Sequence, residues 1–297
     1  MFDVVGVGAN SVDFVYALPE FPHPDGPASK LRITRRTVSC GGQTATTLCT
    51  CAAMGLRTRY AGTIGSDPNG TLIRAELARR GVDLEHVHVR DTGNPFAVIL
   101  LDARRGERVV LWDRDPALQL TPDEVDAALA DPPRLLHVDD ADEAAAIRAA
   151  SRGRRSGIPV TSDIERVTDR TGELVAAVTI PIFAEQALEA FTGERDVERG
   201  LRAVRRRHDG LLCVTLGARG AMLLDGERLS HAPGAQVEAV DTTGAGDVFR
   251  GAFIAALLRG DAPADILRFA NAAAAVSCTR PGAMASVPTI EETMSLI

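Results

Sequence analysis

The sequence predicts an α/β fold: a mostly parallel sheet with helices on both faces and a small β-sheet appended to it. Three observations predict this. Short apolar runs alternate with stretches of helical period along most of the 297 residues, the pattern of repeated strand–helix units. Two segments, 14–38 and 95–112, break that rhythm. Near the C-terminus a glycine turn opens directly into a helical pattern, with an aspartate at the junction.

Taken in order, residues 4–8 read as a buried strand. The segment 14–38 carries Pro19, Pro22, Pro24 and Pro27, then the alternating run Leu31-Arg32-Ile33-Thr34. Residues 43–54 read as a helix stopped by Gly55, 60–64 as a strand, and 72–80 as a helix stopped by Gly81. Residues 95–112 read as a hairpin: 96–101, a polar turn at 102–106, then 108–112. Further short strands fall at 135–138, 159–162, 180–183 and 211–216. Ala239-Val240 reads as a strand end, and the apolar positions from Val248 to Leu257 give a helix stopped by Gly260.

Composition narrows the function classes. A hydrophobic content of 45% and a charged content of 25% are ordinary for a globular protein. The net charge of −7 argues against a nucleic-acid partner. No apolar run approaches the ~20 residues of a membrane span, and the strand-like start at Phe2 lacks a basic leader. Five cysteines without framework spacing read as free thiols, which places the chain in the cytoplasm. Cys49-Thr50-Cys51 has no partner pair to complete a metal site and reads as packing.

The run Asp241-Thr242-Thr243-Gly244-Ala245-Gly246-Asp247 carries the chemistry. Glycines at a helix start expose backbone N–H groups to an anion, and the helix dipole favours negative charge there. The dipole is expected to keep Asp247 ionised, able to take a proton from a hydroxyl beside bound phosphate. The bland alternative is that Asp241 or Thr243 caps the helix and Asp247 decorates its first turn. Neither a dinucleotide fingerprint nor a Walker motif accompanies the run. Gly6-Val7-Gly8 lacks the third glycine, since Ser11 stands in its place.

The run resembles the C-terminal signature of the ribokinase-like (PfkB) carbohydrate kinases, D-T-x-G-A-G-D, and the resemblance extends over the chain. It implies a three-layer α/β/α kinase domain spanning 1–297, with lid strands from about 14–38 and 95–112 inserted in it. It implies transfer of the ATP γ-phosphoryl group to a hydroxyl, expected to be a primary hydroxyl of a ketose or furanose. Asp247 would be the base, and the amides of Gly244, Ala245 and Gly246 the anion hole. Asp13, Gly41 and Gly42 would hold the sugar, with Gln43 and Thr46 beside them. Thr46 stands where the family usually has Asn. Phe96 is a further substrate-binding candidate; it and Trp112 are the aromatics on the lid that could sandwich a base, few for a nucleoside. On the nucleotide side the resemblance implies Thr215, Gly217 and Gly220 near the ATP phosphates and ribose, and Asn271 at the adenine. Asp241, Thr243, Arg280, Gly282 and Ser286 match a loop that holds a monovalent cation, K⁺, in many relatives.

Mg²⁺ is expected with ATP, yet the family's N-x-x-E is absent: Phe183-Ala184-Glu185-Gln186 stands there instead. That loss, with the Cys278-Thr279-Arg280-Pro281-Gly282 tail, leans toward the ketohexokinase and sulfofructose kinase branch. The lid strands imply a homodimer clasp. Two alternatives stand beside this reading: a nucleoside kinase of the same fold, and a catalytically silent sugar-binding regulatory paralogue.

Overall fold

The computed structural model describes residues 1–105 and 107–297. Four parallel strands form the buried centre of the main sheet: β1 (Val4–Val7), β4 (Thr58–Gly65), β8 (Leu135–Asp139) and β9 (Val160–Asp163). Every residue in them is buried. Continuous burial on both faces is what helices on each side of a parallel sheet impose. β5 (Asp83–Arg90) is the half-exposed edge, giving the order β5-β4-β1-β8-β9. Backbone bridges from Thr161 to Ile180 and from Ile164 to Phe183 continue this sheet into a second one. The second is ordered β10 (Ile182–Ala184), β11 (Leu212–Thr215), β12 (Ala221–Asp225) and β13 (Arg228–Ala232), ending in an antiparallel hairpin.

Two apolar clusters cover the two faces. One packs α1 (Gln43–Ala53), α2 (Pro68–Arg79), α8 (Ala245–Arg259) and α9 (Pro263–Cys278) against side chains such as Val4, Tyr60 and Leu135. The other packs α3 (Pro122–Ala128), α4 (Glu143–Arg155), α5 (Thr171–Ala177), α6 (Glu185–Thr192) and α7 (Val197–Arg205) against Val5, Leu136 and Val138. Successive strand residues face opposite clusters, as the period of two requires. The short α10 (Ile290–Met294) closes the chain with a capping box from Thr289 and Glu292.

α1 and α8 approach closely. A Cβ on Gly251 would lie 2.4 Å from the Thr50 Cβ, so only glycine fits there. Thr47 Oγ1 donates to the Asp247 carbonyl at 3.2 Å, tying the two helices beside the turn of interest.

The appended sheet is ordered β3 (Arg35–Gly41), β2 (Ser11–Leu18), β6 (Phe96–Asp102) and β7 (Arg108–Asp113). The expected hairpin is β6–β7, with its turn residue Gly106 outside the described residues. Two expectations fail. Residues 31–34 do not form a strand: pairing with β2 begins only at Arg35 opposite Ala17, after a proline-led 3-10 turn at Pro27–Ser29. Ala239-Val240 is irregular, held by Val240 and Asp241 N–H groups donating to the Cys278 carbonyl. Apolar alternation over a few residues cannot tell a paired strand from an extended loop. All five cysteines are free, and four are buried.

Candidate active site

α8 begins directly after Gly244, whose φ of 77° lies in the left-handed region. A side chain there would also meet Ala283, since a Cβ would sit 2.6 Å from its Cβ. Neither Asp241 nor Thr243 caps the helix; no described side chain does. Ala245 N–H turns back to the Thr242 carbonyl at 3.3 Å, and the amides of Gly246 and Asp247 are the first left for a ligand. Asp247 lies in the first turn.

A cavity of about 440 Å³ opens over this turn. Gly244, Gly246 and Asp247 line one side; Asp13, Gly42 and Gln43 another; Phe96, Arg108 and Trp112 of the small sheet form the cover. That sheet therefore lies over the cavity as a lid. The lid touches the turn directly, because Arg108 Nη1 donates to Thr242 Oγ1 at 3.0 Å and to Thr243 Oγ1 at 3.4 Å.

Asp13 sits on β2 rather than in a turn after β1, with Ser11 Oγ donating to it at 2.9 Å. Burial raises its carboxyl to about 6, the Ser11 bond opposes that, Asp241 adds to it, and Arg108 opposes it. Gly41 lies behind Asp13, where a Cβ would come within 2.6 Å of Asp13 Oδ2. Gly42 has φ 98° and passes so close to Asn10 that a Cβ would lie 2.3 Å from its Cα. The glycine pair thus lets the start of α1 close onto the end of β1. Asp139 secures the same junction: its carboxylate accepts from Ala9 N, Thr44 N, Thr44 Oγ1 and Ala141 N.

Thr46 is a correction. It is fully buried in α1, does not line the cavity, and its hydroxyl has no partner among the described residues. It lies one turn beyond Gly42, where the helix has already passed under the sheet.

Asp247 differs from expectation too. Burial lifts its carboxyl well above the ordinary carboxylate range, Glu165 lifts it further, and Arg250 draws it back. The helix dipole does not dominate, because the side chain is 8% exposed and stands among other acids. Asp163, Glu165 and Asp247 bring carboxylate oxygens within 4.8 Å of one another. Asp163 is fully buried and ion-paired with Arg250, itself 1% exposed.

None of Asp163, Glu165 and Arg250 was singled out from sequence. Arg250 follows Asp247 by three residues, which puts both on one face of α8, and a lone arginine in an apolar helix was the available signal. Asp163 ends β9 and Glu165 follows it by two residues, with no composition cue. An all-oxygen carboxylate set of this spacing suits a hard divalent cation.

On the nucleotide side, Thr215 ends β11 and its hydroxyl reaches the Phe183 carbonyl at 3.4 Å. Gly217 and Gly220 have φ 58° and 92° and bound a 3-10 turn. A Cβ on Gly220 would lie 2.0 Å from the Ala232 carbonyl oxygen, so the glycine is required by the backbone. Asn271 Nδ2 donates to the Ala232 and Pro233 carbonyls at 2.9 and 3.1 Å, which fixes the side chain against the end of β13.

In the 241–286 loop, Asp241 accepts from Thr243 N and Gly282 N, both at 2.9 Å, and Ser286 Oγ donates to the Ala283 carbonyl. The Arg280 guanidinium pairs with Glu292 at 3.0 Å and faces α10, which leaves only its carbonyl as a group that could face a cation.

The sequence matches the pfkB family carbohydrate kinases over residues 1–290. The chain belongs to that family. It is 26% identical to a ribokinase of Haemophilus influenzae, covering 98% of this chain and 97% of that protein. It is 30% identical to an ATP-dependent ribose-1-phosphate kinase of Halopiger xanaduensis, covering 98% and 96%. The fold superposes on that of Arabidopsis thaliana ribokinase, solved with ribose and ATP, with a TM-score of 0.84 at 24% identity over 99% and 98% of the two chains. The protein is a kinase of the sugar and nucleoside kinase family, with the ribokinase-like fold. No described helix is long and apolar enough to cross a membrane.

Proposed function

We propose that the protein transfers the γ-phosphoryl group of ATP to a primary hydroxyl of a ketose or furanose. One observation carries the reading. Asp247, the Gly244–Gly246 turn and the hydroxyl-binding group Asp13 share one cavity under the lid. The amides at the start of α8 bind the transferred phosphoryl group and stabilise its charge. Asp247, whose ionised form Arg250 favours and whose raised basicity suits the task, takes the proton of the attacking hydroxyl. Asp13 accepts from the sugar hydroxyls and rejects analogues lacking them, because a missing hydroxyl leaves a buried acceptor unpaired. Lid contacts through Arg108 keep water out during transfer.

Asp163, Glu165 and Asp247 would hold the divalent cation; Mg²⁺, when bound, supplies neutralisation of the phosphate oxygens. This set takes the place of the absent N-x-x-E.

Asp247→Asn tests the proposal. Turnover is expected to fall by about 10²–10⁴, with sugar affinity by calorimetry nearly unchanged. Retained turnover would remove Asp247 from the mechanism. ATP consumption over ketoses, pentoses and sugar phosphates names the acceptor. Nucleosides belong on the panel because Phe96 and Trp112 both line the cavity.

A further inference from the structure

Arg250 is not accounted for by the reading above. It is among the largest fully buried side chains, and it sits under the anion-binding turn. Its Nη1 lies 2.7 Å from where a Cβ on Gly246 would be, and Glu165 Oε1 lies 3.8 Å from the same point. Arginine and glutamate thus flank the glycine at the centre of the turn. Nη2 makes the ion contact with Asp163. That contact is incomplete. Asp163 Oδ2 and Arg250 Nε, both buried, have no partner among the described residues.

Charge counting gives the consequence. Three carboxylates cluster within 4.8 Å, and among the described residues a single guanidinium touches them. Buried charges persist only when paired. One cation against two buried acids, with the exposed Glu165 beside them, leaves the cluster short of positive charge, and the unpartnered Oδ2 of Asp163 shows that Arg250 does not complete its coordination. A divalent ion would complete it, but it would enter beside a fixed positive charge and be repelled by it. Nucleotide phosphates, arriving with the metal, would cancel that repulsion.

We propose that Arg250 is the resident counter-cation of the Asp163–Glu165–Asp247 metal site, holding metal affinity low in the nucleotide-free protein so that the metal enters with the phosphates. Arg250 is a positioning residue in this scheme: it keeps Asp163 in place until the metal arrives. The proposal rests on the kinase reading only for the identity of the nucleotide. The metal-binding contrast is measured without substrate or turnover.

The experiment is Mn²⁺ titration of the nucleotide-free full-length protein, followed by electron paramagnetic resonance. Wild type and Arg250→Lys are expected to bind weakly. Arg250→Met, checked for native circular dichroism, is expected to bind at least tenfold more tightly, and adding Asp163→Asn to it reverses the gain. Equal Mn²⁺ affinity in wild type and a folded Arg250→Met overturns the proposal. Should Arg250→Met not fold, Glu165→Gln decides. Glu165 is exposed, so this change is tolerated. It is expected to reduce, at least fivefold, the ratio of affinities for a non-hydrolysable ATP analogue with and without Mn²⁺. An unchanged ratio overturns the metal site. A protein that shows the Mn²⁺ contrast but consumes no ATP with any acceptor sinks the kinase reading and leaves the site standing.

Discussion

Asp13→Asn is expected to stabilise the fold and damage substrate binding at once. In the folded protein the Asp13 carboxyl titrates at about 6, against 3.8 for an ordinary aspartate, with burial as the leading cause. A raised acid binds its proton more tightly when folded than when unfolded. Stability therefore falls as pH rises through the window from about 3.8 to about 6, and stays reduced above it. The shift corresponds to about 3 kcal/mol at neutral pH. Asparagine keeps the shape and an acceptor for Ser11 but loses the charge-assisted strength of that bond, which offsets about 1 kcal/mol. The net expectation is a gain of about 2 kcal/mol at pH 7.5 that nearly vanishes at pH 4.

Function moves the other way. A charged acceptor contributes about 1.5–3 kcal/mol to a hydrogen bond with a sugar hydroxyl, so KM is expected to rise by about tenfold or more while the phosphoryl-transfer machinery stays in place. Urea unfolding at pH 4 and 7.5 reads the first effect, and initial rates against sugar concentration read the second. An Asp13→Asn variant no more stable than wild type at pH 7.5, or one whose stability difference is the same at both pH values, would refute the reasoning. Such a trade is what a site strained for binding produces.

Three further outcomes follow from the geometry. Gly244→Ala forces a left-handed φ on a side chain that meets Ala283; it is expected to cost about 1–3 kcal/mol of stability and to lower kcat at least tenfold, with sugar affinity by calorimetry largely kept. Gly251→Ala, by contrast, pushes α1 away from α8 at Thr50, and urea unfolding is expected to show a loss of about 1–3 kcal/mol. His137 is buried with its ring titrating near 3, far below its ordinary 6.5, chiefly through burial and then Arg250. The neutral ring belongs to the fold, so its contribution is complete above 6.5 and lost as pH falls toward 3. His137→Gln is expected to flatten the acid side of the stability profile, and an unchanged slope between about pH 6.5 and 4.5 would count against it.

Local pattern revealed the scaffold because each device there acts over a few residues. Buried runs such as 135–138 mark central strands, Gly260 stops α8 with φ 84°, and the glycine turn before Asp247 marks the start of that helix. The lid hairpin was legible as two alternating runs around a polar turn. Loops defined by distant anchors were not, and 239–240 owes its path to the Cys278 carbonyl. Single-residue placement failed at Thr46, which α1 carries under the sheet and away from the cavity. The side-chain partners of Asn271 and Arg280, the Ala232 carbonyl and Glu292, come from distant segments and were not legible either.

The same logic explains why the electrostatics of the site escaped sequence reading. The start of α8 does supply a dipole, but a dipole is a local term, and Asp247 lies among carboxylates from β9 and β2 that arrive only through the fold. Asp163 is far from Asp247 along the chain and yet shares its oxygens' neighbourhood. Burial makes each of these charges costly, and their convergence makes each depend on the others. Arg250 is the cation placed among them by the helix that begins at the Gly244 turn. The turn and its counter-charge therefore move together: any shift of α8 that displaces the Gly244–Gly246 amides also displaces the guanidinium from Asp163. The kinase family was legible from the turn and its context, and the charges around that turn were set by residues that only the sheet brings to it.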